Sequence, residues 1–370
     1  MRLVAVALAV LLMAGCTSEP AEPKATPTTQ TPAPTPTFTY PGTTWDEAKQ
    51  GDFTKLDHDL ADARSTCFAV IKDGKLVHDA YWGGAGERST RPAYSITKSV
   101  TAILVGMAAD DGALSLDDTA VKYIPEWNGP ISQLVTIRDL LSNTSGRHWD
   151  YDTDYGQMVR RAADKSAFSR GLQQDFKPGT KWDYNNSAVQ TLEAVLRKAT
   201  GEDVAAYAKK RLFAPIGMRD TTWAHDNAGN TTTYSGIDSS CHDLARIGYL
   251  MMREGAWKDK QLVSDSFVTE ATSTSSQLNA AYGLLWWVNK AGHVVTIERA
   301  AGFHADEPPY EGQLAPDVPE DAFWALGYGN EYVAVIPSEG VVAVRMGSRP
   351  NTPDQLTFST FTGGVLKALR

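Results

Sequence analysis

Cysteine is scarce in this chain of 370 residues: there are three, Cys16, Cys67 and Cys241. Positive charge is also short, with 35 Lys and Arg against 44 Asp and Glu, a net charge of −9 and a pI near 5.3. Binding to phosphate backbones needs a basic surface, so this balance argues against a nucleic-acid partner. No Lys/Arg run marks an anionic membrane surface either. His148, His225, His242 and His293 show no ligand spacing and the two later cysteines lie far apart, so neither a metal site nor any other cofactor is expected. A Gly-x-Ser-x-Gly nucleophile elbow is missing, and so is any internal repeat. The apolar run at residues 3–14 is too short to span a bilayer.

That run instead fits the apolar region of a secretory signal, after a positive start at Arg2. Met13-Ala14-Gly15-Cys16 resembles a bacterial lipobox, in which the cysteine becomes the lipidated first residue. The expected organisation is a signal segment over 1–15, then lipidated Cys16 with a Thr/Pro/Ala/Glu-rich tether to residue 44. A folded domain over 45–370 completes it. The tether has too few apolar residues to offset the entropy of ordering and should be extended. Together these features predict an exported protein, lipid-anchored at the outer face of the bacterial cytoplasmic membrane. Cys67 and Cys241 are then candidate disulfide partners, with two buried thiols as the alternative.

Within the folded part, composition is that of a globular protein with a sizeable core, 42% hydrophobic and 21% charged. Residues 67–72 and 75–82 read as strands around the hairpin signal Asp73-Gly74. A helix is expected over 97–110, stopped at Gly112. Further helices are expected over 188–200, 203–213 and 240–254, the last with Ser240 and Asp243 placed for a capping box. Strands return at 284–288, 322–326, 331–336 and 341–346, before a final helix from about 355 to 369. Strands at both ends and helices between predict an α/β plus all-α architecture, one sheet and a helical lobe with a cleft between them.

The chemistry concentrates in two places. Ser95-Ile96-Thr97-Lys98 stands where a Gly-rich loop meets the first long helix, and three residues is about one helical turn. A serine hydroxyl needs a base within reach, and a lysine serves if burial leaves it neutral. The Ser95 N–H near the helix start is placed to meet an oxyanion. Alone, this tetrapeptide is expected by chance about once in a chain this long. Well downstream, Pro178-Gly179-Thr180-Lys181-Trp182-Asp183-Tyr184-Asn185-Asn186 directly precedes another helix. A phenol beside a lysine can pass a proton, and the Asn186 amide can orient Lys98 or the substrate.

With both elements present, the sequence resembles the class C β-lactamase, D,D-peptidase and esterase superfamily, in the branch of the 6-aminohexanoate-dimer hydrolases. Leu140–Gly146, Phe213–Met218 and Asp243–Arg246 are similar in wording as well, and the resemblance covers roughly residues 60–350. It implies that Ser95 attacks, Lys98 and Tyr184 move its proton and Asn186 positions. The departure is the third motif: where class C enzymes carry Lys-Thr-Gly, this chain has Trp324-Ala325-Leu326-Gly327-Tyr328-Gly329-Asn330. The resemblance implies a Gly327–Tyr328 turn with the Tyr328 N–H as second oxyanion donor. The cation expected to hold a β-lactam carboxylate is missing, so weak or no β-lactamase activity is expected. Ester or amide hydrolysis fits better. A penicillin-binding D,D-carboxypeptidase or a β-lactamase is the alternative, and a non-catalytic binding lipoprotein the third reading.

Asp150, Asp152 and Asp154 alternate like the start of a calcium loop, but Tyr155 and Arg161 occupy its sixth and twelfth positions, so a solvated loop is expected. By the resemblance, Tyr151 or Tyr155 on this loop contacts substrate. The long loop at 301–321 should edge the cleft.

Overall fold

The computed structural model describes residues 38–302, 307–350 and 356–370. The signal segment, Cys16 and the tether through residue 37 lie outside the described residues, as do positions 303–306 of the long loop and Gln355. No helix among the described residues is long and apolar enough to cross a membrane.

Helix α1 (Thr54–Asp62) leads into strands β1 (Ser65–Lys72) and β2 (Lys75–Tyr81). Asp73 and Gly74 both take positive φ at their turn, as a two-residue hairpin with right-handed strand twist requires. Helix α2 (Ile96–Asp110) is buried from Ile96 through Ala108, which fits its nearly all-apolar or small-residue sequence. The helical lobe follows: α3 (Ile137–Leu141), α4 (Asp152–Val159, π-helical), α5 (Asn186–Gln190) and α6 (Leu192–Thr200). Helix α7 (Cys241–Met252) returns to the sheet, which is finished by β3 (Trp287–Val288), β4 (Phe323–Gly327), β5 (Glu331–Ile336) and β6 (Val341–Gly347). Helix α8 (Phe358–Ala368) closes the fold.

The sheet runs β2-β1-β6-β5-β4-β3, every neighbouring pair antiparallel. Both faces are covered, which is why β1, β5 and β6 are apolar almost throughout instead of alternating. On one face Phe361 of α8 packs against Phe68 and Tyr332, and Trp324 donates its indole N–H to Thr362. On the other, Gly248 of α7 comes so close to Val342 and Val333 that a Cβ there would lie 2.5 and 3.0 Å from their methyl groups.

A guanidinium is built into this core. Arg345 of β6 is buried and donates to Ser65 Oγ and to the carbonyls of Ala63, Gly329, Asn330 and Ser348. A buried guanidinium is tolerable because its donors are satisfied. It ties the start of β1 to the turn between β4 and β5.

Several expectations are revised. The segment expected as tether to residue 44 is bound earlier: Arg246 donates to the carbonyls of Gly42 and Thr43, and the Tyr249 hydroxyl donates to that of Thr39. The strand expected over 284–288 is reduced to Trp287–Val288, because Leu285 adopts a positive φ and donates its N–H to the Leu141 carbonyl of α3. The helix over 188–200 is two, breaking at Thr191. Ser240 caps Asp243 N–H, but the Asp243 carboxylate accepts from Asp220 N–H and Thr221, so no box closes.

Cys67 of β1 and Cys241 of α7 are joined by a disulfide, with Cα atoms 6.2 Å apart and 174 residues of sequence separation. Closing so long a loop restricts the unfolded chain strongly. Reduction, or Cys67→Ser with Cys241→Ser, should lower unfolding free energy by about 2–5 kcal/mol. Urea melts with and without reductant measure this; superimposable curves would contradict it.

Candidate active site

The first long helix begins under strain. Tyr94 holds φ at +46°, an uncommon region for a bulky residue, and Ser95 follows as the N-cap of α2. The N–H groups of Ile96, Thr97 and Lys98 donate to the carbonyls of Ala93, Tyr94 and Ser95 at 3.0–3.1 Å, a tight first turn. As cap, the Ser95 N–H belongs to the group that has no intrahelical acceptor.

One turn on, Lys98 is 1% exposed. Its Nζ donates to Ser95 Oγ at 2.8 Å and to the Tyr234 carbonyl at 3.0 Å, with the Tyr184 and Tyr234 rings 4.7 and 5.8 Å away. Burial brings the amine down to about 7, against an upward pull from Asp154. Tyr184 is buried beside it; burial pushes its phenol well above its usual range, against a smaller opposite pull from Ser95, so it is neutral at every physiological pH. The structure thus brings Ser95, Lys98 and Tyr184 together.

Asn185 and Asn186 divide the work at the start of α5. Asn185 is the N-cap, accepting from Ala188 N–H at 2.8 Å and donating to the carbonyls of Arg147 and His148. Asn186 turns inward, is 2% exposed, and donates its Nδ2 to Asp154 Oδ2 at 2.8 Å. The residues expected to form a solvated acidic loop are therefore a helix whose Asp154 is fully buried. Its carboxylate also accepts from the N–H groups of Asn186 and Ser187 and from Ser187 Oγ. Tyr151 and Tyr155 stack with ring centroids 5.1 Å apart; burial raises the Tyr155 phenol, while Tyr151 is 42% exposed.

Opposite lies the turn after β4. A Cβ on Gly327 would come within 2.5 Å of the Ala93 carbonyl, so only glycine lets the strand pass this close to the chain that enters Ser95. Tyr328, 52% exposed, meets the Tyr94 ring edge-on at 5.6 Å. Arg345 holds the turn from beneath, and buried Glu331, pushed up to about 8 by burial, accepts from Gly347 N–H. Rings complete the wall: Tyr184 lies 5.9 Å from Trp287, which meets Tyr282 at 4.9 Å, and Tyr282 meets Trp182 at 5.3 Å.

Sequence reasoning missed three of these residues. Asp154 lies four positions before Met158, and both are buried, a helical spacing hidden by the alternating aspartates. Tyr282 and Tyr234 sit in segments with no chemical motif, and Tyr234 contributes a backbone carbonyl that any residue carries. Among the described residues, no cluster of three or more His, Cys, Asp or Glu has metal-binding geometry.

This arrangement has counterparts in known proteins. The chain is 30% identical to a D-aminopeptidase of Cereibacter sphaeroides over 46% of its own length, although it spans only 36% of that protein. It is 23% identical to the 6-aminohexanoate-dimer hydrolase of Paenarthrobacter ureafaciens, covering 65% of this chain and 69% of that one. It is 28% identical to esterase EstB of Burkholderia gladioli, over 41% and 45%. In three dimensions it superposes on a penicillin-binding protein of Bacillus halodurans with a TM-score of 0.62 at 17% identity, covering 85% of this chain and all of that one. Its sheet, helical lobe and cleft are therefore those of the β-lactamase and penicillin-binding fold, and since residues 54–358 match the family description as well, the chain belongs to the beta-lactamase family.

Proposed function

We propose that this protein is a serine hydrolase that cleaves an ester or amide through an acyl-enzyme. The observation that carries the proposal is the 2.8 Å contact between Lys98 Nζ and Ser95 Oγ, in a pocket dry enough to bring the amine down to about 7. At that value a large fraction of Lys98 is neutral near pH 7, and the free amine accepts the Ser95 proton as Oγ attacks the substrate carbonyl. Tyr184 remains a neutral phenol, so it is a proton conduit and not the base: it passes the proton from Lys98 to the departing alcohol or amine. The oxyanion forms between the N–H groups of Ser95 and Tyr328. Water then repeats the sequence in reverse and returns Ser95 to its resting state.

The substrate class rests on two supports. The relatives are an aminopeptidase, a dimer hydrolase and an esterase. Tyr328 also stands in the turn where class C β-lactamases carry a lysine, which leaves a β-lactam carboxylate without that cation. Ester or amide turnover is favoured, with β-lactam turnover weak or missing. The expected export and lipid anchor at Cys16 remain part of the proposal, supported by the Cys67–Cys241 disulfide, since such bonds persist in oxidising compartments.

Ser95→Ala should lower turnover of p-nitrophenyl butyrate at least ~10³-fold, because no other group in the cleft replaces the nucleophile; mutant turnover near the native rate sinks the assignment. The acidic limb of kcat/KM should centre near the Lys98 value of about 7. The working form is the neutral amine, so the rate is full above that pH and falls about tenfold per unit below it. A flat profile from pH 5 to 8 would contradict Lys98 as base. In a bacterial host the full chain should take up labelled palmitate, and Cys16→Ser should take up none; equal labelling of both would remove the anchor.

A further inference from the structure

The mechanism above leaves a buried carboxyl group at the centre without a task. Asp154 is fully buried, yet it touches none of Ser95, Lys98 or Tyr184 by hydrogen bond. Its four donors all come from two consecutive residues at the start of α5: Asn186 N–H at 3.2 Å, Asn186 Nδ2 at 2.8 Å, Ser187 N–H at 2.8 Å and Ser187 Oγ at 2.6 Å. A carboxylate gripped this way behaves as an external cap on α5, satisfying N–H groups that the first turn of a helix leaves open. Tyr184 stands two residues before that turn, so whatever fixes the turn fixes the approach of the Tyr184 phenol to Ser95.

The grip also changes what Asn186 can do. Its Nδ2 donates to Asp154, while Lys98 takes its second acceptor from the Tyr234 carbonyl instead. Asn186 thus ties α4 to α5 from within the fold.

We propose that Asp154 is the positioning residue of this centre, holding Asn186 and Ser187 so that Tyr184 faces Ser95, and serving as the buried negative charge that Lys98 senses. This rests on the serine hydrolase reading for its consequence on rate, but not for its consequence on Lys98. The titratable groups facing the pair from the packed elements are Tyr155 of α4, Tyr184 before α5 and Tyr234 of the segment that crosses beneath Lys98. Burial raises all three phenols, so they stay neutral and the charge balance is between Lys98 and Asp154 alone. Burial raises the Asp154 carboxyl above its ordinary range, and the four donors pull it part of the way back. Ionised Asp154 stabilises the Lys98 ammonium and holds its proton on to higher pH.

Asp154→Asn removes the negative charge, so Lys98 should lose its proton at lower pH. The ¹³Cε resonance of Lys98, assigned by its loss in Lys98→Arg, should titrate at least about half a pH unit lower in Asp154→Asn than in the native protein. Where ester turnover is abolished by Ser95→Ala, the acidic limb of kcat/KM should move by the same amount, with a lower plateau from the loosened Tyr184. Should Asp154→Asn fail to fold, Ser187→Ala strips one donor from the carboxylate, making it easier to protonate, and should shift Lys98 in the same direction by less. An unmoved Lys98 titration in the folded variant overturns the proposal. Failure of the serine hydrolase reading looks different, since turnover then survives Ser95→Ala while the Lys98 resonance still shifts.

Discussion

The burial of a single amine governs the cleft. A charged ammonium withdrawn from water costs several kcal/mol unless it is paired, so the surroundings of Lys98 decide whether it is held as a cation or as a free base. Here the pocket offers one hydroxyl, one carbonyl and the faces of two phenols, none of them a charge in contact. That provision suits a neutral amine near pH 7. The position of Tyr184, the crossing of residue 234 and the depth of α2 all serve to keep the pocket dry.

Separate stretches of chain meet at this centre, and the sheet supplies their common reference. Helix α2 is fixed against β4 and β5, and Gly327 allows β4 to run directly beneath the carbonyl of Ala93. Arg345 then locks the turn that carries Tyr328 to the start of β1, across the width of three strands. Tyr184 comes from the other side, on the helical lobe, where Asn143 braces it through Tyr282 and through the Asn185 N–H. Both walls are thus tied into the core through named bonds, Arg345 on one side and Asn143 on the other.

Much of this was legible in the sequence, and the legible parts share a property. Ser95 and Lys98 could be paired because helical periodicity alone puts them on one face, and the hairpin at Asp73-Gly74 because its conformation demands those residue types. The sheet's two-ended assembly followed from the order of apolar runs. What stayed hidden depends on contacts between distant segments. Asp154 looked like a solvated aspartate because its donors, Asn186 and Ser187, lie far along the chain. The Leu284–Val288 run reads as a strand by composition, but tertiary contacts with α3 impose a left-handed Leu285 and cut it short. The bound segment at 39–43 is polar and Pro/Gly-containing like the tether before it, and it docks through its carbonyls, which no composition reveals.

That docked segment has a mechanical consequence. Residues 39–43 are held by Arg246 and Tyr249 of α7, and α7 is covalently joined to β1 through Cys67 and Cys241. A pull applied at Phe38 would be shared between α7, which the disulfide ties to β1, and the β1–β2 hairpin, whose Asp73 carbonyl accepts from Thr39. The turn at Tyr94, the start of α5 and the turn at Tyr328 all lie off that load path. A molecule held by its N-terminal end would thus be gripped at the sheet's β1–β2 hairpin and at α7, and not at the contact between Ser95 and Lys98.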